Sequence, residues 1–153
     1  MLKYGLLLIA ITSYQAHAAI IESSDSEKWT VDGLAHYVRS REDKSFSAIL
    51  VSVARNESVV GFSQPYDSCS YEPRYRKVKI HYQWVNYVSM CANGSSVWVP
   101  KSQRGINFVK QKFTSYADVK VVFDDKTYSF ATNSFTSVRQ RWENMLRTQG
   151  DAL

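Results

Sequence analysis

Between Tyr66 and Tyr82 the chain interleaves aromatic rings with cations: Tyr66, Tyr71, Arg74, Tyr75, Arg76, Lys77, Lys79, His81 and Tyr82. Tyr and Arg bury large areas with few rotors and bring directional donors, so this composition is that of a docking surface for another protein. A row of lysines also protects an edge strand from pairing with a second chain. Both readings stand on the residues alone. The docking reading assigns Tyr66, Tyr71, Arg74, Tyr75, Arg76, Lys77 and Lys79 to a partner.

Reactive chemistry has fewer candidates. A zinc site needs several His, Cys or acidic ligands at short spacings, and past residue 18 only His36 and His81 remain. No Gly-x-Ser-x-Gly elbow, phosphate loop or Gly-x-Gly-x-x-Gly is present. Most acids fall in turns or near termini, where the ordinary expectation is solvated surface. No catalytic residue, metal or cofactor is assigned. Cys69 and Cys91 are the two cysteines. In an oxidising compartment such a pair is most simply one disulfide, closing a loop of about 23 residues. It would hold the Tyr/Arg loop in shape before a partner arrives.

The compartment follows from the first residues. Residues 1–18 read MLKYGLLLIAITSYQAHA. Lys3, the apolar run Gly5–Thr12 and the small-x-small box Ala16-His17-Ala18 follow the plan of a cleaved secretory signal. The apolar run is too short to span roughly 30 Å of hydrocarbon. The short leader points to a periplasm. Cleavage removes Lys3 and no acid, leaving 18 basic and 14 acidic residues and a net charge of +4. The mature chain holds no second apolar stretch long enough to cross a membrane. Its basic charge suits an envelope protein with an acidic face, an anionic cell-wall polymer or a membrane surface. Export argues against nucleic acid as the partner.

These residues need elements to position them. A polar run over 19–28 reads as a flexible lead-in, and 29–153 as one domain. Trp29–Val38 alternates as a strand. Phe46–Ala54 is apolar on both parities and reads as a central strand. Arg55-Asn56-Glu57 is a turn, Val59–Phe62 a short return strand, and 63–73 a loop with Pro at each end. Residues 74–91 read as one long strand with Val78, Ile80, Tyr82 and Trp84 on one face. Parity slips at Trp84-Val85, as at a β-bulge or on entry to a two-sided buried region. Asn93-Gly94 is a hairpin turn, and Val97–Val99 returns to Pro100. Ile106, Val109 and Phe113 predict a helix over Gln103–Phe113. Val119–Phe123, a turn at Asp124-Asp125-Lys126, and Tyr128 and Phe130 form a hairpin. Asn133 or Ser134 caps a final amphipathic helix with the stripe Phe135, Val138, Trp142, Met145 and Leu146. The class is α+β: an antiparallel sheet of about six strands with one or two packed helices.

The combined expectation is a non-enzymatic periplasmic accessory protein, with no cofactor. It binds a component of an envelope assembly such as a pilus or secretion machine. The alternative is a periplasmic immunity or inhibitor protein that neutralises a toxin or cell-wall hydrolase. An exported hydrolase is the third reading.

Overall fold

The computed structural model describes residues 25–33, 35–54, 57–92 and 94–151. The leader expected over 1–18 and the lead-in up to residue 24 lie outside them. Alternating β-branched and aromatic residues build β1 (Thr30–Asp32), β2 (Ala35–Arg39), β3 (Ser47–Ala54), β4 (Glu57–Ser68) and β5 (Tyr75–Ile80). β6 (Gln83–Ala92), β7 (Ser95–Pro100), β8 (Asp118–Phe123) and β9 (Lys126–Ala131) follow. All nine form one antiparallel sheet in the order β1-β2-β3-β4-β7-β6-β5-β8-β9. Two helices pack with it, α1 (Gln103–Ser115) and α2 (Phe135–Asp151). The sheet is antiparallel as expected, but it has nine strands rather than about six.

The additional strands arise at two places, and at a third a strand is longer than expected. Trp29–Val38 is not one strand: Asp32 pairs with Ala35 across a turn at Gly33, which takes φ 57°. Residues 63–68 are not loop: β4 runs on through Pro65 to Ser68. Its register with β7 shifts between Ser63 and Ser68, and such an irregularity tolerates a residue without an N–H. Residues 74–91 are not a single bulged strand. They form a hairpin in which Ile80 pairs with Gln83, with His81 at φ 52° in the two-residue turn. Cross-strand partners share a face, so this turn alone shifts the parity. Ala92 pairs with Ser95 and Gly94 takes φ 79°, so this hairpin falls where expected. Asp124 and Asp125, at φ 48° and 61°, make the two-residue turn between β8 and β9. That backbone matches the right-handed twist of its strands.

The sheet curls until its ends meet. The Arg41 N–H donates to the Ser129 carbonyl at 3.1 Å, and the Ser129 N–H to the Glu42 carboxylate at 2.7 Å. Inside lies an aromatic core. The Phe46 ring meets those of Phe62, Phe123, Tyr128 and Phe130 with centroids 4.2–5.8 Å apart. Val109 and Phe113 from α1, and Phe135 and Val138 from α2, join it at helical spacing. Ser102 caps α1, its hydroxyl accepting the Gly105 N–H at 3.1 Å. Before α2, the Asn133 amide turns away to donate to the Glu27 carbonyl at 2.8 Å. The end of the expected lead-in is thus tied to the sheet: Ser26 is buried, and the Asp25 carbonyl accepts the Arg39 N–H at 2.9 Å.

A second apolar cluster (Val51, Val59, Val97, Val99 and Ile106) lies on the other side of the central strands. Gly61 permits the close β4–β7 approach there. A Cβ on it would sit 2.8 Å from Val97 Cγ1 and 3.0 Å from the Trp98 carbonyl. Gly61→Ala therefore overpacks the seam and lowers stability by about 1–3 kcal/mol, read from a denaturant melt. An unchanged midpoint would show that β4 and β7 can separate freely.

Candidate functional site

The connection from β4 to β5 must cross the ends of β7 and β6, since both lie between its strands. Two devices hold it there. The first is the Cys69–Cys91 disulfide, with Cα atoms 5.3 Å apart, which fastens the crossover to β6. The second is Arg74. Its Nη2 donates to Asp67 and to the Ser96 hydroxyl, both at 2.8 Å, and its guanidinium lies 5.1 Å from the Trp98 ring centroid. Trp98 Nε1 donates to the other Asp67 oxygen at 3.0 Å. Arg76 is also engaged inward. It bonds Asp124 at 2.7 Å and lies 3.8 Å from the Trp98 centroid and 4.5 Å from that of Phe123.

The seven residues assigned to a partner therefore divide. Arg74 and Arg76 are occupied by the protein itself. Tyr71 is fully exposed on the crossover. The expectation for Tyr66 falls on a side chain outside the described residues. Tyr75, Lys77 and Lys79 share one face of β5. On the facing strand they pair with Val88, Asn86 and Trp84 respectively. β8 pairs with β5 only at Lys79 and Ile80, so Lys77 lies where the second edge of β5 has no ladder partner and Lys79 does not.

The turn at His81-Tyr82 puts Tyr82 and Trp84 outside, although alternation had aligned both with the core residues Val78 and Ile80. Tyr82 is exposed and Trp84 is 53% exposed. His81 stacks on Tyr116 with centroids 4.5 Å apart. Partial burial, then the nearby Lys112 and Lys120 charges, hold its imidazole below the usual range.

Beside this face the chain leaves β7 and enters α1, bringing Lys101 and Arg104 against β6. The Lys101 N–H donates to the Asn86 carbonyl at 2.8 Å, and its ammonium lies 4.6 Å from the Tyr75 centroid. Between β6 and the start of α1 runs a groove of about 640 Å³, with Trp84, Asn86, Lys101, Arg104 and Phe108 among its lining. A second hollow of about 370 Å³ meets it at Asn86 and Lys101 and extends to Tyr75 and Lys77. No acidic side chain lines either hollow. Among the described residues Lys77, Lys79, Lys101 and Arg104 form no ion pair. The result is one continuous face with four free cations and exposed rings from Tyr75 and Trp84.

Sequence reading missed Trp84, Asn86, Lys101 and Arg104. The last two lie beyond Pro100, far along the chain from Lys77. Among the described residues no group of three or more His, Cys, Asp or Glu side chains is placed to hold a metal ion. No helix among them is long and apolar enough to cross a membrane. Compared with known proteins, the chain matches no family model, no curated protein and no solved structure.

Proposed function

We propose that this is an exported, non-enzymatic accessory protein that holds an anionic component of the bacterial envelope on its β5–β6 face. The observation that carries the reading is the set of four cations without an ion pair around exposed Tyr75 and Trp84, three of them (Lys77, Lys101 and Arg104) lining hollows that hold no acid. Unpaired cations keep their full attraction for an incoming anion and raise its rate of encounter. Exposed aromatic rings supply contact area that loses little rotamer freedom on binding. The disulfide suits an oxidising compartment, as the leader-like first 18 residues do. The partner is proposed to belong to an envelope assembly such as a pilus or secretion machine.

The test is cross-linking in intact cells at native expression. The wild-type protein recovers structural envelope components. A Lys77→Glu/Lys79→Glu variant, which touches no internal ion pair, melts at the wild-type temperature and recovers about tenfold less. Equal recovery by this variant would remove the face as the docking surface. Recovery of a single toxin or cell-wall hydrolase would replace the accessory role with an inhibitory one.

A further inference from the structure

Resting on that reading of the face, we infer that it holds its envelope component by an acidic glycan strand, whose sugar rings pack against Trp84 and whose carboxylates meet Lys101 and Arg104. Two observations favour sugar over an acidic peptide. First, the groove joins three kinds of group: an exposed indole, a primary amide and two cations. Among the described residues the Asn86 side chain makes no hydrogen bond, so its donors and acceptor both remain for hydroxyl groups. Second, the rings are spread along the face. Trp84 lies opposite Lys79 and Tyr75 opposite Val88. That places them about 13 Å apart along the strand, at about 3.4 Å per residue. A polymer with repeating ring faces and repeating charges can use both ends of such a face.

The groove also has a stable floor. A Cβ on Gly105 would meet Val85 Cγ1 at 3.0 Å, so α1 lies close against β6 there. At the rim, Lys79 Nζ lies 5.7 Å from the Trp84 centroid and adds positive charge beside the indole. The groove volume of about 640 Å³ falls in the range of small-ligand sites. One or two sugar units can therefore be enclosed while the rest of the strand runs over Lys77 and Tyr75.

Calorimetric titration of the disulfide-linked protein tests this with four probes: oligogalacturonate, its methyl ester, poly-L-glutamate of equal charge, and oligothymidylate. Oligogalacturonate binds about tenfold more tightly than poly-L-glutamate. Methyl esterification and Trp84→Ala each weaken it about tenfold. Asn86→Ala weakens the sugar polymer and leaves poly-L-glutamate unchanged. Both substituted side chains are exposed, so the melting temperature stays at the wild-type value and serves as the folding control. Equal binding of oligogalacturonate and poly-L-glutamate, insensitive to Trp84→Ala, overturns the glycan and leaves the anion-binding face standing. Tighter binding of oligothymidylate overturns it in favour of nucleic acid. Binding of none of the polyanions overturns both the glycan and the anionic partner.

Discussion

Replacing Arg74 and Arg76 together with glutamate lowers the unfolding free energy by about 3–5 kcal/mol. The effect is one of stability, although both residues lie in the segment whose composition suggests docking. Asp67 is the reason at position 74. Its side chain is only 16% exposed and accepts both Arg74 and Trp98. A glutamate there removes the counter-charge and sets a second carboxylate against the first, a repulsion partly screened because position 74 is 40% exposed. Position 76 contributes differently. Asp124 is largely exposed, so that ion pair is worth less than about 1 kcal/mol. The larger loss is the guanidinium against Trp98 and Phe123, worth on the order of 1–2 kcal/mol when partly desolvated. Urea titration reads the sum as a lower midpoint. A variant with the wild-type midpoint that no longer captures its partner would return both arginines to the docking surface.

The arginines also mark how far composition can be read. Tyr, Arg and Lys in alternation show that a charged aromatic surface exists between residues 66 and 82. They do not show which cations are free, because that depends on acids distant in sequence. Asp124 lies 48 residues from Arg76. Lys101 and Arg104 reach the face only because β7 pairs with β6 and then turns into α1. The helices were legible for the opposite reason. Ile106, Val109 and Phe113, and Phe135 and Val138, repeat at a local period that packing against the sheet preserves.

The misread hairpin at 80–83 has one physical cause. A two-residue turn reverses the chain without needing Gly or Pro when a residue such as His81 accepts a positive φ. Its one trace in the sequence is the parity slip at Trp84-Val85, which a bulge also produces. Length separates the two. A strand over 74–91 would exceed the usual limit of about ten residues, whereas two strands of six and ten residues fall within it. At the other missed turn Gly33 directly follows the Asp32–Ala35 pair and takes the first turn position, whereas Gly94 takes the second after Ala92. Pro65 acted in the other direction, since a proline argues against strand except where the ladder is already broken, as it is between Ser63 and Ser68.

Removing the disulfide, by Cys69→Ser with Cys91→Ser, lowers the unfolding free energy by about 3 kcal/mol. The bond closes a sequence separation of 22 residues, and its loss returns that loop's entropy to the unfolded chain. The consequences in the folded state are uneven. The crossover between β4 and β5 loses one of its two fastenings, leaving Arg74 on Asp67 and Ser96 as the other. β5 itself stays paired with β6 and β8, so the Lys79–Trp84 end of the face keeps its geometry. The Tyr75 end loosens, because Tyr75 follows directly on the released segment. Amide exchange therefore accelerates more at residues 70–76 than at 83–88. Binding weakens through the Tyr75 end while dependence on Trp84 persists. Uniform exchange across the hairpin, or an unchanged denaturation midpoint, would show that the arginine clasp alone holds the crossover and that the disulfide is dispensable to the face.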